Sequence, residues 1–231
     1  MTDNSKDEFI EITRIKEEFI ANASHELKTP IASVRLAAES ALTSLERDDG
    51  MTKSFLEQIL RDSDRMNELI SDLLDLSAME SSDVFMEAFD LHDVIANEIS
   101  YLSKQNKKRI SYKKKKVEIN ANFDDISLAV KNLIKNALKY SPPEENILIQ
   151  IEENDKSVRC SFQDFGSGIS ESDQEKIFER FYRVDKGRSR KVGGTGLGLA
   201  IVKHALDRNN AVIEIVLSLI HISEPTRPLH I

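Results

Sequence analysis

The sequence predicts an α+β protein: a long antiparallel helical hairpin followed by a domain in which helices cover one face of a mixed sheet. Three observations carry this. Apolar residues recur at spacings of three and four through two long N-terminal stretches. The composition then shifts at Glu80-Ser81-Ser82-Asp83. Beyond that point short strand-like runs alternate with shorter helical ones.

The chain has 231 residues, enough for two modest domains that each bury a core. It is 40% hydrophobic and 31% charged, as an ordinary folded protein is. A net charge of −8 argues against broad nucleic-acid binding. Cys160 is the single cysteine, so no intrachain disulfide forms and a reducing compartment is expected. No apolar run is long enough to cross a bilayer, no signal-peptide core opens the chain, and no membrane contact is expected.

The first helix is expected from about Phe9 to Arg47. Its seam is Leu27, Ile31, Val34, Ala38, Ala41 and Leu45, extended upstream by Phe9, Ile12, Ile15 and Phe19. Within it, Ser24 to Pro30 places His25 off the seam and facing water, beside the carboxylate of Glu26. Pro30 cannot donate to the Glu26 carbonyl, so a bend is expected there. An exposed imidazole is either a polar surface residue or a nucleophile whose ring proton Glu26 can accept. Asp48-Asp49-Gly50 ends the helix. A second helix from about Thr52 to Met79 carries Leu56, Ile59, Met66, Ile70 and Leu73, with Ser63 in one slot. One hairpin leaves apolar surface exposed, so a second copy completing a four-helix bundle is expected.

After the linker come a strand near Phe85 to Leu91, a helix to about Gln105, and strands around Ile110 and Val117. Lys113 to Lys116 reads as a solvated turn. A strong helix from Asp124 to Tyr140 presents Ile126, Val130, Leu133, Ile134 and Ala137 on one face and stops at Pro142-Pro143. Strands follow at Ile147 to Glu152 and Val158 to Asp164.

Four clusters in this part carry chemistry. Asn132 and Asn136 share a helix face with Lys139 and Tyr140 close by, so two amide oxygens can hold Mg2+ while the lysine meets a phosphate. Asp164-Phe165-Gly166-Ser167-Gly168 follows a strand, and suits either an exocyclic amine beside a flat ring or a plain glycine turn. Ile177 to Arg183 groups aromatics and cations ahead of a flexible run from Asp185 to Val192. Gly193 to Leu199 opens a helix with Gly194, Gly196 and Gly198, offering free N–H groups to polyphosphate. That last run lacks the Lys-Ser/Thr of a P-loop and does not follow a strand as in a Rossmann unit.

Taken together, the clusters resemble the catalytic core of a bacterial two-component sensor histidine kinase. His25 to Pro30 is similar to that family's H box, Asn132 to Pro142 to its N box and Asp164 to Gly168 to its G1 box. Phe178 to Phe181 is similar to the F box and Gly194 to Leu199 to the G2 box. The order and spacing of five motifs from about residue 10 to 215 make the resemblance specific. It implies a Bergerat-type ATP-binding sandwich at 84–217 behind a dimerisation and phosphotransfer domain at 1–80.

The resemblance further implies that Asp164 accepts from the adenine amine, Tyr140 covers the ring, and Asn136 with Asn132 holds Mg2+. Lys139 and Arg183, with Arg188 or Arg190, would meet phosphates. Gly166, Gly168, Gly194, Gly196, Leu197 and Gly198 would shape the ATP site under a lid from Ile169 to Val192. His25 would attack the γ-phosphorus, Glu26 would take its proton, and Thr29 would orient water in dephosphorylation. The implied partners are a second copy of the chain and a response-regulator receiver domain; the implied location of this piece is cytoplasmic, with the full-length protein open to membrane anchoring.

Two departures are visible. Asn122 stands where an acidic residue is usual, and can still cap the helix. Asn209-Asn210 replace a glycine pair, Val212 to Val216 is expected as the penultimate strand, and the final strand is missing. The tail 218–231 resembles translated adapter read-through, so its histidines are not taken as metal ligands. Two other readings stay open: an ATPase of the gyrase-like superfamily without phosphotransfer, and a non-catalytic dimeric scaffold or phosphatase.

Overall fold

A computed structural model describes residues 3–47, 50–155, 157–184 and 194–216. The expected lid run Asp185 to Val192, with Arg188, Arg190 and Gly193, and the tail 218–231 lie outside these residues, as do the side chains of Phe9, Ile12 and Ile15.

Helix α1 (Asp3–Arg47) and helix α2 (Thr52–Ser81) form the hairpin. α1 runs without interruption through Pro30, which is buried. Polar pairs across the interface set the register, because each is satisfied in one alignment only. The Ser33 hydroxyl donates to Asp62 at 2.6 Å, and Gln58 donates to Ser33 at 3.0 Å. Thr52 donates to Ser44 at 3.0 Å.

The buried line on α1 differs from the expected seam. It passes through Pro30, Ala37, Ala41 and Ser44, while Ile31 and Leu45 are 51% and 64% exposed. On α2, Leu69, Leu76 and Met79 are buried, whereas Leu56 and Ile70 of the expected seam are exposed. The reason is geometric: one partner helix covers a narrow strip of small residues, and the wider apolar stripe extends past it.

The second region opens with strand β1 (Glu87–Asp90) and helix α3 (Leu91–Tyr101). The Asp90 carboxylate accepts from the His92 N–H at 2.9 Å and so starts α3 at Leu91, the residue on which the expected strand would end. The expected helix to Gln105 is two: α3 stops at Tyr101, and Ser103 caps a short α4 (Lys104–Lys108). Strands β2 (Ile110–Tyr112) and β3 (Glu118–Ala121) precede helix α5 (Phe123–Tyr140), then β4 (Ile147–Glu153) and β5 (Val158–Gln163). A turn of α6 (Glu171–Gln174), a 3-10 turn (Lys176–Phe178) and helix α7 (Gly198–Arg208) complete the described elements.

The strands form two sheets among the described residues. β1 pairs antiparallel with β3; in the other, β4 lies between β2, parallel to it, and β5, antiparallel to it. Ile147, Ile149 and Ile151 of β4 alternate inward and meet Val130, Ile134 and Ala137 of α5 in one core. A second core is shared: Leu69, Leu76 and Met79 of α2 pack with Ala129 of α5 and with Leu197, Ile201, Val202 and Ala205 at α7. The hairpin and the α/β lobe are thereby joined.

The segment expected as the penultimate strand, Val212 to Val216, is not a strand. Glu214 pairs with Arg159 of β5 at 3.2 Å, so the segment lies near that edge. Val212 and Val216 are each 85% exposed, while Ile213 between them packs against the core shared by α2 and α7.

Arg208, at the end of α7, anchors the junction. It pairs with the buried Asp125 carboxylate at 2.9 Å and donates to the carbonyls of Met79 and Ser82 and to the Ser82 hydroxyl. Replacing it leaves a buried carboxylate held, among the described residues, by Asn209 alone. Arg208→Ala is expected to lower unfolding stability by about 3 kcal/mol in denaturant titrations followed by circular dichroism.

Candidate active site

The candidate cleft is built around one face of α5. Its start is fixed by Asn122, whose side chain accepts from the Asp125 N–H at 2.9 Å, the cap expected there. Its end is held by Arg109, which donates to the carbonyls of Leu138, Ser141, Pro142 and Glu145. That cation satisfies C-terminal carbonyls and favours the negative end of the helix dipole. Nothing in the sequence pattern distinguishes Arg109 from its lysine neighbours.

Asn132 is buried, and its amide donates to the Leu128 carbonyl at 3.0 Å, leaving its oxygen free to face α7. A Cβ on Gly198 would lie 3.0 Å from that oxygen and 3.6–3.7 Å from the amide atoms of Asn136. A Cβ on Gly194 would lie 3.0 Å from the Lys139 ammonium and 3.6 Å from the Tyr140 hydroxyl. Both glycines therefore leave room that any other residue would fill. Gly196 needs its missing side chain for two reasons: its φ is +75°, and a Cβ would come within 2.8 Å of the Phe181 backbone.

The strand-end turn joins the same cleft. The Phe165 N–H donates to the Ser141 hydroxyl at 2.9 Å, and the Asp164 carboxylate, exposed, accepts from the Gly166 N–H at 2.9 Å. Gly166 abuts the Tyr140 carbonyl, and Gly168 adopts φ +74° with open space around it. Close approaches thus run from Asp164 through Gly166 to Tyr140, and from the Gly194–Gly198 turn to Lys139, Tyr140, Asn132 and Asn136. A separate groove of about 650 Å3 between α3, α4 and α5 shares Lys139 alone with them.

Charge of both signs meets at the cleft. Burial pushes the Lys139 ammonium below the usual lysine range, opposed by Glu68 and Asp72 and reinforced by Lys135 and Arg183. Burial raises the Tyr140 phenol, with Arg183 pulling the other way. A glycine cradle at a helix start, two amide oxygens and a lysine fit a magnesium-bound polyphosphate in space and in donor type.

On the hairpin, His25 is exposed and the Thr29 hydroxyl donates to its carbonyl at 3.3 Å. Glu26 turns elsewhere: Arg65 meets its carboxylate at 3.0 Å and Arg183 at 3.7 Å. Arg183 therefore stands between the residue next to His25 and the Lys139–Tyr140 end of the cleft. Further contacts dock the lobe on the hairpin. Arg180 pairs with Glu80 at 2.6 Å and lies 5.0 Å over the Phe19 ring, which packs against Phe181 at 5.7 Å. Lys135 pairs with Glu68, and the Thr195 hydroxyl donates to Asp72 at 2.5 Å. Sequence reading missed Asp72, which looks like one more acidic residue of a helix.

A helix-borne asparagine pair facing a glycine-hinged helix start, joined to a hairpin with an exposed histidine, is the layout of an ATP-binding lobe attached to a phosphoacceptor domain. Residues 121–227 match the histidine kinase-, DNA gyrase B- and HSP90-like ATPase family, and residues 15–82 match the His Kinase A phospho-acceptor domain. The chain therefore carries the phospho-acceptor and ATPase domain pair of a sensor histidine kinase catalytic core. It is 33% identical over 225 residues to the sensor-like histidine kinase SenX3 of Mycolicibacterium smegmatis, covering 92% of this chain and 56% of that protein. It is 34% identical over 206 residues to the sensor histidine kinase WalK of Bacillus subtilis, covering 86% and 34%. The chain thus spans about half or less of these relatives. The Acinetobacter baumannii histidine kinase AdeS shares the fold, with a TM-score of 0.58 at 22% identity over 80% of this chain and 86% of that one. No described helix is long and apolar enough to cross a membrane.

Gly196→Ala forces a Cβ into the Phe181 backbone at a positive φ. ATP affinity measured by calorimetry is expected to fall at least about tenfold, since left-handed backbone costs an L-residue about 1–2 kcal/mol before the clash is counted.

Proposed function

We propose that this chain transfers the γ-phosphoryl group of ATP to His25 and then to an aspartate on a receiver domain. The observation that carries the reading is Arg183, 3.7 Å from Glu26 and close enough to Lys139 and Tyr140 to act on both. One side chain thus links the neighbour of the acceptor histidine to the candidate nucleotide cleft.

In this reading Asp164 accepts from the adenine amine while Tyr140 covers the ring. Gly166 and Gly168 let the backbone turn beside the base. Asn136, with Asn132, holds Mg2+, which when bound neutralises charge on the phosphates. Lys139 and Arg183 hold phosphate oxygens, and Gly194, Gly196, Leu197 and Gly198 carry the lid and present the start of α7. A ring nitrogen of His25 forms the N–P bond as the bond from the γ-phosphorus to the leaving ADP oxygen breaks. Glu26 takes the proton from the other ring nitrogen. Glu26 must first leave Arg65 and Arg183, so the docked arrangement is a resting one. Thr29, on the turn after His25, orients water when the receiver is dephosphorylated.

The domain limits 1–80 and 84–217 belong to the same proposal, as does the non-family tail 218–231. The apolar residues left exposed on the hairpin, Ile31, Leu42 and Leu45 on α1 and Leu56, Leu60 and Leu74 on α2, support pairing with a second copy. Dependence on ATP and Mg2+ assigns this piece to the cytoplasmic side, with any anchor elsewhere in a longer protein.

The test is incubation with Mg2+ and ATP labelled at the γ-phosphate. Wild type is expected to retain acid-labile label, His25→Gln none, and Asn136→Ala about a hundredfold less. Label retained on His25→Gln overturns the proposal, and ATP turnover indifferent to that change favours a plain ATPase.

A further inference from the structure

The glycine-rich turn is held from outside its own lobe. Thr195, between Gly194 and Gly196, donates its hydroxyl proton to Asp72 of α2 at 2.5 Å and accepts from the Leu197 N–H at 3.2 Å. Both Thr195 and Asp72 are buried. A hydroxyl carries one proton, so the proton given to Asp72 is not available to a phosphate oxygen. The Leu197 N–H, one of the donors at the start of α7, is likewise spent on Thr195. A turn further back on α2, Glu68 occupies the Lys135 ammonium. Asp72 and Glu68 therefore present two carboxylates to the edge of the lobe that polyphosphate would use.

We propose that Asp72 is a positioning residue that acts through Thr195 to hold the phosphate-binding turn in a low-affinity form, so that docking of the lobe on the hairpin and nucleotide binding oppose each other. The inference rests on the reading of the cleft as the ATP site. It follows from linkage: if the docked turn binds nucleotide less well, nucleotide must weaken docking by the same factor. A change in the hairpin that shifts Asp72 by an ångström or two would free Thr195 and Leu197 together, converting motion along α2 into nucleotide affinity. The charge surroundings fit this role. Burial pushes the Asp72 carboxyl above the usual range, Thr195 and Lys135 pull it back, and Glu68 and Asp75 add to the rise. Its bond to Thr195 is therefore one of few things that stabilise the buried carboxylate.

The test measures binding of the non-hydrolysable analogue AMP-PNP with Mg2+ to the full chain by calorimetry, with thermal melts by circular dichroism checking the fold. Because a hydrogen bond to a charged group is about twice as strong as a neutral one, affinity is expected to rise about threefold in Asp72→Asn and about tenfold in Asp72→Ala. In a Thr195→Val background the Asp72→Ala change is expected to shrink below about twofold, since its route is gone. A residue that merely braces the turn would do the reverse, losing affinity as Ala and recovering it as Asn. Unchanged or weaker binding in Asp72→Ala overturns the inference, as does full-sized tightening in the Thr195→Val background. Should Asp72→Ala not fold, Asp72→Asn is read alone by the same sign. Failure of the wild type to bind AMP-PNP at all overturns the ATP reading itself.

Discussion

The packing of α2 against α7 is the constraint on which the rest of this structure depends. Leu69, Leu76 and Met79 on one side and Leu197, Ile201, Val202 and Ala205 on the other exclude water together. Apolar burial of this kind is non-directional but large, roughly 2 kcal/mol for each fully buried aliphatic side chain. It fixes where α7 begins, and that start carries the glycines of the cleft. It also brings the lobe against the lower part of the helix that bears His25. Site and acceptor are therefore positioned by one apolar seam.

Polar contacts around the seam select the orientation that the seam alone would leave loose. Glu26 with Arg65 and Arg183, Glu68 with Lys135 and Glu80 with Arg180 all pair hairpin carboxylates with cations. Partly exposed pairs contribute little net stability each, yet a wrong alignment would leave several charges unmatched. The same acidic hairpin lines up with the groups proposed to meet phosphate. Docking and nucleotide chemistry thus draw on one set of donors and cations, which makes each sensitive to the other.

Local signals explain what was legible in the sequence. The α5 face, the Asn122 cap, the alternation of β4 and the glycine runs are short-range patterns, and each was readable from spacing and turn chemistry. Asn132, Asn136, Lys139 and Tyr140 share a face because a helix requires it, and the glycines reach them because α7 starts there. What could not be read depends on partners distant in sequence. Ile31 and Leu45 fit the α1 heptads yet stay exposed, because heptads do not tell an intrachain neighbour from a second copy. Asp72, Arg109 and Arg208 carry no motif, and their roles exist only through carbonyls and hydroxyls brought to them by the fold. Val212 to Val216 has strand-like composition, but a strand is a pairing, and among the described residues the segment pairs with none.

The central claim is that the phosphoryl group of ATP comes to rest on one ring nitrogen of the hairpin. Proteolysis after incubation with Mg2+ and ATP, followed by mass spectrometry at neutral pH, tests it most directly. The account predicts a phosphate on the peptide containing His25, removed by mild acid and stable to base. A phosphate found only on a serine, threonine or carboxylate, or ADP formed with no phosphate on any peptide, would contradict it.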